Sequence, residues 1–214
     1  MGVQFTIVRG LTILAGVFWS LVYLLIIKRG FQDKTCGMPF VPFCASFSWE
    51  FIFSFIHPLS APQLYINISW FMLDVVILFQ IIRFKESVLT HPLLRRFFYP
   101  VFFLIFTMSF VAILSMIYEL GDWSGKYTAL AVNFMISVSF VSMLLNRNNV
   151  AGQSMYIALF KMAGTTLTSL LFFLHYPLSP ILNFLYVATF IFDWIYIVLL
   201  FAKLRELGIN PWVR

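Results

Sequence analysis

Seven stretches of this chain are apolar for long enough to cross a lipid bilayer, and that decides what the backbone can do. They run roughly over 5–27, 38–56, 65–84, 98–119, 127–145, 154–175 and 180–202, each near the ~20 residues that a spanning helix needs. With no water at that depth to satisfy N–H and C=O groups, every such segment must close its hydrogen bonds internally, so each is expected as a helix. The expected fold is all-α, a seven-helix transmembrane bundle forming one domain over residues 1–214. With 62% of residues hydrophobic and 10% charged, no material remains for a separate soluble domain.

Orientation is read from the cations. Connections after spans one, three and five, together with the C-terminal segment, carry Lys28, Arg29, Lys34, Arg83, Lys85, Arg95, Arg96, Arg147, Lys203, Arg205 and Arg214. The other side carries Arg9 and Lys126, and Lys161 falls inside the bilayer. The N-terminus is therefore expected outside or in the lumen and the C-terminus in the cytoplasm. The net charge of +6 follows from this topology and from an anionic cytoplasmic leaflet, and gives no argument for nucleic acid binding. The first span lacks a small-residue cleavage site and runs to Ile27 before Lys28 and Arg29, so it reads as a retained helix.

Connections are short. Asp33 to Phe43 contains Pro39 and Pro42, which suggests a capped or partly re-entrant start to span two. Cys36 and Cys44 flank Gly37-Met38-Pro39 on the side expected to be cytoplasmic, so they read as packed thiols. Asn67-Ile68-Ser69 matches a glycosylation acceptor but opens span three, where it is expected to be unused. No internal duplication of the kind found in repeat-built transporters is visible.

Four ionisable residues lie in the interior of the apolar spans, away from their ends: Glu50, Asp74, Lys161 and Asp193. A charge at a helix centre costs about 2.5 to 3.5 kcal/mol on insertion scales, so such groups usually face a bundle interior and do a job there. Three carboxyl groups face one lysine, so pairing neutralises at most one acid. Residue counting puts Asp74 and Lys161 both near mid-membrane and makes them the expected pair. Glu50 and Asp193 remain as candidate neutral carboxylic acids, and a protonated carboxyl in a dry pocket is a proton donor for a weak base.

Helical spacing places other polar side chains on stripes. Asn67, Trp70 and Asp74 share a face in span three, Asn133 and Ser137 in span five, and Asp193 and Tyr196 in span seven. Span six adds Ser154, Ala158, Lys161, Thr165 and Thr168. These stripes are expected to converge on one polar cavity. Trp49 adjoins Glu50 and Trp194 follows Asp193; most aromatics belong to lipid-facing bulk and interfacial belts, while a minority lining the cavity can stabilise cationic charge through their π faces. His57, His91 and His175 fall at span ends. The sequence has no aspartate-rich run, no Gly-rich phosphate loop and no His or Cys pattern at metal-ligand spacing, so no metal or other cofactor is expected.

Gly37-Met38-Pro39 followed by Ser48-Trp49-Glu50 resembles the start of span two in the integral membrane terpene cyclases of fungal meroterpenoid and indole-diterpene pathways. The resemblance continues through Trp70 with Asp74, Asn133, Arg147, Gly152-Gln153-Ser154, Lys161 and Gly164-Thr165. It ends with Asp193, Tyr196 and then Gly208, Asn210, Pro211 and Trp212. It implies a small seven-helix enzyme that cyclises a polyprenyl chain on an aromatic, pyrone or indole core, after a prenyltransferase has attached the chain and an oxygenase has made its terminal epoxide. It also implies that Glu50 and Asp193 are the catalytic pair; Trp49, Trp70, Asp74, Asn133, Lys161 and Tyr196 are the candidates for binding substrate or stabilising cations. The membrane would be the endoplasmic reticulum for a fungal protein or the inner membrane for a bacterial relative.

Under this reading, Glu50 or Asp193 protonates an epoxide oxygen, or less easily an alkene, and the chain closes through successive carbocations in a cavity that keeps water out. Two other classes stand beside it. Buried acids in seven spans also suit a proton-coupled or facilitative transporter. A retinal protein would need a buried lysine with a carboxylate counter-ion, which Lys161 and Asp74 could provide.

Overall fold

A computed structural model describes residues 2–88 and 92–214. His91 lies outside the described residues. The chain forms α1 (Gly2–Gln32), α2 (Phe40–Phe51) running into a five-residue π turn (Ile52–Ile56), α3 (Gln63–Arg83), two short helices α4 (Lys85–Val88) and α5 (Pro92–Arg96), then α6 (Phe98–Leu120), α7 (Lys126–Arg147), α8 (Met155–His175) and α9 (Pro180–Glu206). The long helices α1, α3, α6, α7, α8 and α9 are apolar enough to cross a membrane, and Phe40–Ile56 is a shorter apolar helix. The second expected span is thus the short one. Its start is set by Pro39, which occupies the N-cap with an extended backbone because a residue locked at that φ and lacking an N–H is tolerated only at a helix start. The prolines therefore mark where this helix starts.

Six helices pack in a ring: α1 on α8, α8 on α9, α9 on α7, α7 on α2, α2 on α3, and α3 back on α1, with α6 laid outside against α2. This last contact uses seven of the 27 Phe. Phe98, Phe102, Phe106 and Phe110 recur one turn apart along α6, stacking on one another and meeting Phe40, Phe47 and Phe51 of α2. The opposite face of α6 presents Phe103 and Met108 outward, as a lipid-facing helix should.

At the end of the bundle rich in Lys and Arg, two of the motif segments meet. Gly37 and Gly152 approach so closely that a Cβ at Gly37 would lie 2.3 Å from the Gly152 carbonyl oxygen. Gly152 itself takes a φ of +74°, a backbone state that only glycine adopts readily. Around this contact the Arg147 guanidinium donates to the Cys36 carbonyl at 3.0 Å, and Asp33 Oδ2 accepts from the Gly152 N–H and from Arg214, both at 2.7 Å. These bonds tie the α1–α2 and α7–α8 connections together. We expect Gly37→Ala to destabilise the protein by about 1–3 kcal/mol, the usual cost of forcing extra volume into a packed site. The check is thermal unfolding of detergent-extracted protein.

Cys36 and Cys44 are free and buried, and burial pushes the Cys36 thiol up to about 12, so it stays protonated and unreactive. Asn67 is fully buried within α3 and is closed to a glycosylating enzyme.

Candidate active site

A cavity of about 520 Å³ lies inside the ring. Its walls come from α1 (Trp19, Tyr23), α2 (Trp49, Glu50), α3 (Trp70), α7 (Val132, Asn133, Ile136) and α8 (Thr168, Phe172). The spacing explains the selection, because positions three and four apart share a helix face. The mouth is formed by Arg9, the Leu59–Gln63 turn, Ser124, His175 and Tyr176, at the end of the bundle poor in Lys and Arg. From Arg9 to Tyr23 the α1 backbone rises about 20 Å, so the cavity is a deep shaft with Tyr23, Ser46 and Glu50 at its inner end.

Glu50 is 2% exposed and lies along the cavity wall. The Tyr23 hydroxyl donates to Glu50 Oε1 at 2.5 Å and sits 3.2 Å from Ser46 Oγ. Asp74 on α3 is fully buried, and its carboxyl lies within hydrogen-bonding reach of Glu50. The walls around this cluster are aromatic. Tyr23 stacks on Trp70 with ring centres 6.3 Å apart and meets Trp19 at 6.5 Å. Trp70 Nε1 donates to Ser20 Oγ at 3.1 Å, which holds the indole plane in place. Immediately after Glu50 and Phe51 the helix widens into the π turn, a local irregularity frequent at functional sites.

The second ionic centre lies elsewhere. Lys161 on α8 donates to Asp193 Oδ1 on α9 and to Ser137 Oγ on α7 at 2.6 Å, and all three side chains are buried. Tyr196 donates to Gln153 Oε1 at 3.1 Å and packs on Phe140. Lys161, Asp193 and Tyr196 do not line the main cavity. Asp193 instead borders a separate groove between α8 and α9 with Thr165 and Phe190.

The expected pairing of Asp74 with Lys161 is therefore corrected: Lys161 pairs with Asp193, and Asp74 faces Glu50. Counting residues along spans gives depth in the membrane but not direction around the helix axis. Asp74 is turned toward α2 and Lys161 toward α7 and α9. For the same reason the polar stripes do not converge on one cavity. Trp70, Asn133 and Thr168 reach it, whereas Ser137, Thr165 and Asp193 do not.

Three contributors went unread in the sequence. Tyr23 and Ser46 each carry one hydroxyl in an otherwise apolar span, a weak signal that gains meaning once Glu50 is placed against them. Asp122, in the turn after α6, accepts from the Thr128 backbone N–H and hydroxyl, both at 2.9 Å. Thr128 Oγ1 in turn accepts from Trp49 Nε1 at 3.0 Å. Asp122 thus satisfies a free N–H at the start of α7 and indirectly fixes Trp49 beside Glu50. Asp122→Ala is expected to lower stability by about 1 kcal/mol, as loss of a cap does, and to change the emission of Trp49. Thermal unfolding and tryptophan fluorescence check it.

An enclosed aromatic shaft in a membrane bundle, with a carboxyl group at its inner end, defines a site for acid chemistry on a lipophilic molecule. The chain belongs to the Pyr4-like transmembrane terpene cyclases, whose family model matches residues 3–205. It is 30% identical to the Pyr4-family terpene cyclase mfmH of Annulohypoxylon moriforme, over 86% of this chain and 78% of that protein. It is 26% identical to asnovolin H synthase nvfL of Aspergillus novofumigatus, over 87% of this chain and 82% of that one. Terpene cyclase pyr4 of Aspergillus fumigatus is 27% identical over 75% of this chain and 67% of its own length. No solved structure matches. The protein is an integral membrane terpene cyclase with fungal relatives, and the transporter reading is not favoured.

Proposed function

We propose that this enzyme cyclises a polyprenyl chain carried on an aromatic or related core, and that Glu50 starts the reaction by protonating the terminal epoxide. The observation that carries this reading is the Glu50 carboxyl at the inner end of an aromatic-walled cavity. The Glu50 O–H bond breaks, the proton joins the epoxide oxygen, and the C–O bond opens with its electron pair going to oxygen. The electron-poor carbon is attacked by the next alkene, and each ring closure passes the cation along the chain until a proton is lost. An alkene is a weaker base than an epoxide oxygen and would demand a stronger acid.

The shaft favours substrate entering tail first, with the polar core left near Arg9 and His175 at the mouth. Trp49, Trp70 and Tyr23 present π faces to the positive charge, Asn133 supplies a polar contact on the α7 wall, and the apolar lining excludes water that would trap the cation as an alcohol. Asp193, which the family resemblance makes the second catalytic acid, acts through the wall: its pair with Lys161 and Ser137 locks α7, α8 and α9 around the cavity, and Tyr196 extends that lock to Gln153. The proposed location is the endoplasmic reticulum, with the C-terminus in the cytoplasm, beside the prenyltransferase and epoxidising oxygenase whose product it consumes.

The test is incubation of membranes containing the protein with an epoxyfarnesylated arene, followed by chromatography with mass detection. A new product of unchanged mass that disappears in Glu50→Gln supports the reading. Persistence of that product in the variant overturns the role given to Glu50, and recovery of untouched epoxide alone overturns the substrate class.

A further inference from the structure

We propose that Asp74 is a positioning residue, a neutral carboxylic acid that donates a hydrogen bond to Glu50 and makes its proton easier to release. This rests on the reading of Glu50 as the initiating acid.

The inference follows from counting donors and acceptors. Asp74 is fully buried, and among the described residues no side chain or backbone group donates to either of its oxygens. Glu50 Oε2 is likewise without a donor, while Oε1 receives the Tyr23 hydroxyl. Two carboxyl groups within hydrogen-bonding reach of each other have only acceptor atoms between them when ionised. A contact of this kind is held together by a carboxyl proton.

The surroundings decide how many protons the pair holds. Among the described residues no Lys, Arg or His donates to Asp74 or pairs with it. Among the described residues the fully buried cation, Lys161, is committed to Asp193 and Ser137, and Arg9 lies at the cavity mouth. An unpaired carboxylate in such a place is costly, so both groups are neutral at rest.

That arrangement has a consequence for the chemistry. As Glu50 loses its proton to the substrate, negative charge appears on its carboxylate beside two donors already in place, the Tyr23 O–H and the Asp74 O–H. A buried carboxylic acid kept neutral so that it can donate to a developing anion is an established device for stabilising charge. When the final ring or alkene forms and a proton is released, the pair returns to its resting state by taking one proton back.

The experiment compares Asp74→Asn with Asp74→Leu. The amide retains an N–H donor of nearly the same shape, so Asp74→Asn is expected to keep kcat within about tenfold of the native enzyme, while Asp74→Leu, which fills the space without a donor, loses about 100-fold or more in kcat with KM little changed. Equal loss in both variants, or no loss in Asp74→Leu, overturns the proposal. Infrared difference spectra of the resting protein supply a readout independent of any substrate. The carbonyl stretch of a protonated carboxyl, present in the native protein, is expected to weaken in Asp74→Asn. An unchanged band overturns the proposal even if the variant is inactive. Should the native protein fail to turn over the epoxide, the cyclase reading of Glu50 falls while the infrared comparison still decides where the proton is.

Discussion

Glu50→Gln is expected to give a protein that folds, extracts and melts like the native one yet consumes epoxide about a thousandfold more slowly. A positioned general acid, the role proposed for Glu50, is worth typically 10²–10⁴ in rate, and among the described residues no other Asp or Glu lines the cavity. The amide keeps the size of the side chain and keeps an acceptor for Tyr23, which now donates to Glu50 Oε1 at 2.5 Å. It also offers N–H groups to Asp74, so the buried cluster remains satisfied. What it lacks is a proton acidic enough to give to an epoxide. The measurement is the initial rate of substrate loss in membranes matched for protein content, with a melting curve as the control for folding. Retention of activity within tenfold of native would move the acid elsewhere.

The second large effect concerns the ionic centre behind the wall. Lys161→Met leaves Asp193 and its charge buried at 2% exposure without a counter-ion, and breaking a buried pair in this way costs about 3–5 kcal/mol. Lys161→Met combined with Asp193→Asn removes both charges together and is expected to recover most of that loss, because a neutral pair of similar volume is often no less stable than the ions. The double variant also separates two roles for Asp193. If it is stable and still cyclises, Asp193 serves as the partner of Lys161 in holding α7, α8 and α9. If it is stable but inert while the epoxide remains, Asp193 takes part in the chemistry and the role given to it here is wrong.

Much of the molecule is legible in the sequence. Long apolar segments leave the backbone no choice but the helix, so spans one and three to seven appear within a few residues of their expected limits. Pro39 and Pro42 marked where the short second helix begins, and Trp49-Glu50 marked the residues that face the cavity. The motif segments around Gly37 and Gly152 were visible as separate fragments. Their meeting was not, because a contact between residues far apart in the chain leaves no trace in local spacing.

What the sequence by itself determined is the set of elements and the inventory of costly groups: helices of membrane length, three acids and one lysine in their interiors, and aromatic residues in number. It determined these because burial in hydrocarbon penalises unpaired backbone and unpaired charge wherever the helices end up. Only the tertiary structure decided which charge meets which. Asp74 and Lys161 share a depth but not a direction, since the rotation of each helix about its axis is set by the packing of its neighbours and is invisible in hydropathy. That rotation turns Asp74 onto Glu50 and Lys161 onto Asp193, and so separates an acid site facing the cavity from an ion pair that braces its wall.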